Sequence, residues 1–176
     1  MTHPTMIRPA ETEHPPYFGR YITLVPEGDI LEILARQRGA TLDLLRGLPE
    51  ATGDLRYAPG KWTVKELVGH VSDAERVFGY RALRFGRNDP TPLAGFEEDD
   101  YVRDASFNAH TLADLAAGFA AVRDSTIFLF KQMSAEASTR RGPASGAEIS
   151  VRALGYIIAG HELHHLNVLR SRYLNA

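Results

Sequence analysis

Residues 151–168 read VRALGYIIAGHELHHLNV, and this stretch decides the fold that we predict. Its apolar positions recur every three or four residues, which is the period of an α-helix with one face in a core. The same face carries His161 and His165, whereas His164 lies beside it. Because helical bundles usually place aliphatic side chains at such positions, two imidazoles four residues apart indicate a metal site on the inward face.

Composition excludes several classes of protein. The chain has 176 residues, which suits one domain, and 20 Lys and Arg against 22 Asp and Glu give a net charge of −2. Without a basic run we expect no nucleic-acid partner. The chain contains no cysteine, so histidine and carboxylate are the strong metal ligands available. No stretch approaches the ~20 apolar residues of a membrane span or resembles a signal peptide, so we expect a cytoplasmic protein with no membrane partner.

The remaining chain predicts a tail and three further helices. Residues 1–16 are rich in Pro, Thr and Glu, which favours a disordered N-terminal tail before a single domain at residues 17–176. Apolar residues at helical spacing predict four long helices and no sheet. Asp29 with Glu32 indicates a helix start, and Thr63 with Glu66 forms a capping box. Helix one runs from Asp29 to Pro49, helix two begins at Thr63, helix three begins at Thr111, and helix four runs from about Ser150 to Tyr173.

The lengths of the links predict how the helices are arranged. Short links make helix two antiparallel to helix one and helix four antiparallel to helix three. The link over residues 88–110 is long enough to run the length of the bundle, so helices two and three are parallel. The fold class is therefore all-α, a four-helix bundle in up-down-down-up order with a long crossover between helices two and three. With ~1.5 Å of rise per residue, His70 on helix two then reaches the depth of His161 and His165 on helix four.

Three imidazoles at one depth suit a divalent metal ion. Neutral imidazole is a preferred ligand of zinc and nickel, and three protein ligands leave a position for water or substrate. The alternative for each histidine is an ordinary buried residue that is hydrogen-bonded in the core. Since three unpaired imidazoles are costly to bury, we predict that His70, His161 and His165 bind zinc or nickel.

Residues 161–165 also match H-E-x-x-H, the signature of zincin proteases, in which the glutamate activates a metal-bound water. Glu162 is therefore a candidate catalytic residue. The longer metzincin motif, however, requires Gly and His where this chain has Val168 and Ser171, and little chain remains for a distant third ligand. On a helix Glu162 points ~100° away from His161, so we expect its carboxylate in solvent or behind the ligands.

Three stretches of the chain resemble the DinB-like (YfiT-like) superfamily of metal-dependent enzymes. They are APGKWTVKE at 58–66 followed by Gly69-His70, RALRF at 81–85, and GHELHHL at 160–166. The resemblance extends from about Tyr17 onward. It implies a four-helix bundle of the order predicted above, with a divalent metal held by one His on helix two and an H-x-x-x-H pair on helix four. Those positions are His70, His161 and His165.

The resemblance also implies a reaction. The superfamily includes thiol-dependent S-transferases and the mycothiol-dependent maleylpyruvate isomerase, so we expect a transferase in which a low-molecular-weight thiol attacks a small-molecule electrophile. Two alternatives stay open. The first is hydrolysis by metal-bound hydroxide, with Glu162 or a carboxylate of residues 97–100 as the general base. The second is metal binding without turnover. The acidic residues 97–100 are otherwise expected to be a solvated surface. The resemblance also implies a homodimer.

Overall fold

A computed structural model describes residues 5–174 of the chain. Within these residues the four longest helices form the predicted bundle, which confirms the all-α fold class. None of the helices described has the length and apolar character that a membrane span requires. The helices are α1 (Pro16–Ile22), α2 (Ile30–Arg46), α3 (Val64–Gly86), α4 (Glu98–Asp104), α5 (Leu112–Lys131), α6 (Ala135–Thr139) and α7 (Val151–Val168), and the strands are β1 (Arg141–Ala144) and β2 (Ala147–Ser150). Predicted helices one to four are α2, α3, α5 and α7.

The four long helices begin directly after the residues at which the sequence placed their starts, and the capping box at Thr63 is present as predicted. Asp29, Thr63, Thr111 and Ser150 occupy the N-cap positions of α2, α3, α5 and α7, and each side chain accepts a hydrogen bond from a backbone N–H of the first turn. At α3 the arrangement is reciprocal, because Thr63 Oγ1 accepts from the Glu66 N–H at 3.0 Å and Glu66 Oε2 accepts from the Thr63 N–H at 2.7 Å. Such caps are worth ~1 kcal/mol each and set where a helix starts.

The crossover between α3 and α5 returns to the end of the bundle where α3 begins. Asn108, near the end of the crossover, contacts the first turn of α3 through Thr63 Oγ1 at 2.7 Å and Glu66 Oε1 at 2.8 Å. Since α5 starts at Leu112, the two helices start at the same end and run parallel. The predicted up-down-down-up order is confirmed, and the crossover itself carries the short helix α4.

Helices α3 and α7 run antiparallel and pack against each other along their length. Two clusters of buried apolar side chains fill the bundle, and both helices contribute to each. On α7, His161 and His165 lie between Ala159 of the first cluster and Leu166 of the second. On α3 the clusters change between Val71 and Ala74, within about one turn of His70. The histidines therefore form a polar layer where two apolar cores meet.

The prediction that the chain has no strand was wrong for a short hairpin ahead of α7. Strands β1 and β2 pair antiparallel and are joined by Ser145 and Gly146, which have φ angles of 53° and 78°. A two-residue turn with positive φ at both positions matches the twist of paired strands. Four-residue strands are too short to show an alternating pattern in the sequence. Leu93 of the crossover pairs with Ala144, so the hairpin also fixes the loop before α4.

The sequence predicted a disordered tail over residues 1–16. Residues 5–16 instead contact the rest of the protein in this structure, and residues 1–4 lie outside the described part of the chain. Glu13 is 4% exposed, and its carboxylate accepts a hydrogen bond from Arg152 Nε at 2.8 Å. Burial alone raises the pKa of Glu13, but its hydrogen bonds, first that from Arg152, lower the pKa to about 2. This segment is held by contacts with residues far away in the sequence and not by a repeating apolar pattern. Its composition alone therefore predicted disorder.

Candidate metal centre

The structure brings His70, His161 and His165 together between α3 and α7. The Nε2 atom of His161 lies 3.1 Å from Nε2 of His70 and 3.1 Å from Nε2 of His165. One ring nitrogen from each residue lies within 4.8 Å of the other two. His161 and His165 share a face because they are four residues apart on α7, and antiparallel packing supplies His70 at the same depth.

The three rings fit a divalent cation better than a hydrogen-bond network. The Nε2 atom of a neutral imidazole either donates one proton or accepts at one lone pair. Nε2 of His161 can therefore make one good hydrogen bond, although it faces two partners at 3.1 Å. Two nitrogens bound to a tetrahedral zinc at ~2.0–2.1 Å are separated by roughly 3.4 Å, which is close to the observed spacing. The donor set thus has the composition and the spacing of a metal site.

Burial keeps these imidazoles neutral at neutral pH. It lowers the pKa of His70 to about 4 and the pKa of His165 to about 3. It also holds the pKa of His161 well below 6.5, and the neighbouring His165 lowers it further. A neutral imidazole has a free lone pair, so the rings are in the protonation state that binds metal ions.

Two aromatic side chains, for which the sequence predicted no role at the site, pack on the histidines. The ring of Tyr21 meets the ring of His161 edge-on at 5.3 Å, and the ring of Trp62 lies 4.7 Å from that of His70. Tyr21 comes this close because α1 crosses α7 at Gly160, where a Cβ atom would lie 2.0 Å from the Tyr21 carbonyl oxygen. The packing of these aromatic rings against the imidazoles limits the orientations that the imidazole rings can adopt.

Glu98 places a carboxylate beside the histidine cluster. Its Oε2 atom lies 3.8 Å from Nε2 of His70, and its side chain is 55% exposed. Burial raises the pKa of Glu98, and the neighbouring Asp99 raises it further. The residue belongs to the acidic stretch 97–100. The sequence predicted a solvated surface there, with a general base for hydrolysis as the alternative. Helix α4, which the sequence did not predict, brings it back over α3.

Glu162 lies behind the ligands and not in solvent, which is the second of the two positions that we expected for it. It is 1% exposed, its Oε1 accepts a hydrogen bond from Thr41, and its Oε2 lies 2.7 Å from Arg123 Nη1. Arg123 is also buried and is paired with Glu75 at 2.8 Å. Burial raises the pKa of Glu162, while the Arg123 guanidinium opposes that shift. This carboxylate therefore links α2, α5 and α7 behind the histidines and lines neither cavity beside them.

Two cavities give small molecules access to the cluster. His70 and His161 line a cavity of about 280 Å³ whose walls are largely aromatic, and His165 lines a second cavity of about 360 Å³ together with Trp62. Glu98 lines both. His164 faces the second cavity and packs its ring against Tyr21, outside the group of three, as the sequence predicted.

The fold is a four-helix bundle with a long crossover, and its core holds three histidines between α3 and α7. These two features define a class of helical proteins with a candidate metal site inside the bundle. The chain belongs to the DinB superfamily, because the family model matches residues 33–169, a range that includes all three histidines. The resemblance found in the sequence is thereby confirmed. A comparison with curated proteins finds no match.

A solved structure has a similar fold. It is described as "YfiT from Bacillus subtilis is a probable metal-dependent hydrolase with an unusual four-helix bundle topology". YfiT superimposes with a TM-score of 0.67 at 15% sequence identity, over 92% of this chain and 91% of that chain. At this identity the similarity shows the fold.

Proposed function

We propose that this protein is a metal-dependent hydrolase of small molecules, in which His70, His161 and His165 hold one divalent cation, zinc or nickel. The observation that carries the proposal is the convergence of three neutral imidazoles beside a cavity, in which Nε2 of His161 lies 3.1 Å from Nε2 of each of the other two histidines. The description of YfiT as a probable metal-dependent hydrolase supports the same reaction class. A divalent ion in such a site supplies Lewis acidity and lowers the pKa of water.

Glu98 is the residue to which we assign proton transfer. Its carboxylate lies 3.8 Å from His70 Nε2 and lines both cavities, so water and substrate can reach it. As the oxygen of water adds to the substrate, Glu98 accepts the proton from that water. It returns the proton to the leaving group as the scissile bond breaks, so the net reaction adds one water across that bond. Glu162 has no part in this assignment, because its carboxylate is held by Thr41 and Arg123.

The experiment combines metal analysis with activity on a panel of amides and esters. We expect about one equivalent of metal per chain after dialysis, and hydrolysis of at least one substrate. Glu98→Gln is expected to lower kcat/KM by roughly 10²–10⁴-fold and to leave the metal content unchanged. Asp100→Asn is the matched control, because Asp100 belongs to the same acidic stretch but is exposed and paired with Arg103. Full activity of Glu98→Gln would remove Glu98 from the mechanism, and absence of metal after loading would refute the centre.

The thiol-dependent transferase that the resemblance implied stays a prediction, as do the homodimer and the cytoplasmic location. The same protein preparation tests the transferase when it is incubated with a small thiol and an electrophile. Turnover in that assay without hydrolysis of any ester or amide would replace the hydrolase by the transferase. A metal-loaded protein that is inactive in both assays would support the third alternative, metal binding without turnover.

A further inference from the structure

Arg81 is a buried cation that faces the cavity of His70 and His161. The residue is 2% exposed, and its Nη2 donates one hydrogen bond to the Ala94 carbonyl at 3.0 Å and one to Ser145 Oγ at 2.9 Å. Both acceptors are neutral. Within residues 5–174 no carboxylate lies within 4.0 Å of this guanidinium, and burial lowers the pKa of Arg81. A buried charge without a counter-ion is costly, and the cost is removed when an anion binds it.

The other buried arginine shows what this chain does when the charge is structural. Arg123 is 0% exposed and has two carboxylate partners, Glu75 at 2.8 Å and Glu162 at 2.7 Å. Arg81 differs from it in two respects, because it has no such partner in the described part of the chain and it lines a cavity. The comparison indicates that no carboxylate within residues 5–174 supplies the counter-charge of Arg81.

Arg81 and the histidine cluster lie at two ends of one cavity. Eleven residues, or three helical turns, separate His70 from Arg81, so both project from the same face of α3 with ~16 Å of axial rise between them. Helical side chains lean towards the N-terminus, and the Arg81 guanidinium lies 5.8 Å from the ring of Phe78, one turn closer to His70. A ligand in the cavity can therefore contact Arg81 at one end and the histidines at the other.

The rest of the cavity wall is consistent with an apolar ligand body. Tyr17, Phe18, Phe78 and Phe96 contribute aromatic surface to a volume of about 280 Å³. Glu97 and Glu98 also line it, but Glu98 lies at the histidine end, 3.8 Å from His70 Nε2, where a divalent cation would offset its charge. Neither of these carboxylates lies within 4.0 Å of the Arg81 guanidinium, so among residues 5–174 the Arg81 end of the cavity holds a positive charge without a carboxylate partner.

We propose that Arg81 determines specificity by binding the carboxylate of a small organic anion whose aromatic or apolar body fills this cavity. The proposal deepens the proposed function, since it names the substrate class of the same site and rests on that function for the reaction at the histidine end. Arginine suits this role because its planar donors match a carboxylate, and a charge-assisted contact of this kind contributes about 10-fold or more in affinity.

The test compares phenylacetate with its neutral isostere 2-phenylacetamide by isothermal titration calorimetry on the metal-loaded full chain. We expect the protein to bind phenylacetate at least about 10-fold more tightly, and Arg81→Met to abolish that preference while affinity for the amide changes less than about 2-fold. Ser145→Ala is the matched control, because it removes a neutral partner of Arg81 and keeps the charge. It is expected to retain the preference.

The contribution of the metal is common to the wild type and Arg81→Met, so their difference isolates Arg81. The same difference is expected in protein freed of metal with EDTA, which separates this proposal from the metal centre. If Arg81→Met does not fold, NMR of the wild type replaces it. The ¹⁵N–¹H signal of the Arg81 side chain is assigned as the one that is missing in Arg81→Lys. This signal is expected to shift when phenylacetate is added and not when the amide is added. Equal affinities for the two compounds in the wild type, or an undiminished preference in Arg81→Met, would overturn the proposal.

Discussion

The contact between α1 and α7 at Gly160 provides the sharpest test of how this site is built. A Cβ atom at this position would lie 2.0 Å from the carbonyl oxygen and 2.4 Å from the carbonyl carbon of Tyr21, whereas ordinary contacts begin at 3.4 Å. These are backbone atoms, so no side chain can turn away and α1 has to move by roughly 1 Å or more. Overpacking of this kind costs about 3 kcal/mol, and we expect Gly160→Ala to lower the Tm by about 6–12 °C.

The matched control for that variant is Gly39→Ala. Gly39 lies inside α2 and has nothing within 4 Å of the position of a Cβ, so alanine is expected to stabilise the helix by up to about 1 kcal/mol. Urea denaturation of both variants measures the two free energies of unfolding. Because Tyr21 packs against His161, Gly160→Ala is also expected to weaken metal binding, whereas Gly39→Ala is not. If the two variants were equally stable, the close crossing of α1 and α7 could not be what positions Tyr21.

Three further predictions concern buried charges and the choice of ligands. Glu13→Gln is expected to cost about 3 kcal/mol at pH 7, because the pKa of Glu13 is lowered from 4.5 to about 2. The cost is complete above pH 4.5 and disappears as the pH falls towards 2. Urea denaturation at a series of pH values measures it, and a cost that is the same at every pH would contradict the prediction. Arg123→Met leaves two buried carboxylates unpaired and is expected to cost about 3–5 kcal/mol in the same assay, against less than about 1 kcal/mol for Arg38→Met, whose partner is exposed. His161→Ala is expected to lower metal occupancy after dialysis much more than His164→Ala, and equal occupancy by elemental analysis would show that the ligand assignment is wrong.

Local sequence signals were sufficient for the helices and for the pairing of the histidines. Thr63 with Glu66 predicts the start of α3 because both side chains act on backbone groups within one turn. His161 and His165 face the same way because a helical period places residues four apart side by side. The length of the link over residues 88–110 predicted the direction of α5, since a short link could not have reached the other end of the bundle.

Contacts between distant segments were beyond sequence reasoning. The sequence left open whether Glu162 lies in solvent or behind the ligands, since a helical wheel gives a direction but does not say that Thr41 and Arg123 lie in that direction. Glu98 belonged to an acidic stretch that resembles any solvated loop, and its position beside His70 depends on the path of the crossover. The short hairpin and the packed segment around Glu13 had no periodic pattern at all.

The amino-acid sequence by itself determined four amphipathic helices, their caps, their order and three inward-facing imidazoles, because these properties follow from the spacing of residues along one chain. The tertiary structure alone decided the surroundings of those imidazoles. These are the carboxylate of Glu98, the aromatic rings of Tyr21 and Trp62, and the guanidinium of Arg81, which lines the same cavity and has no carboxylate partner among residues 5–174. The physical reason is that burial, and with it the pKa of a histidine or the cost of an isolated charge, depends on which segments pack together in space.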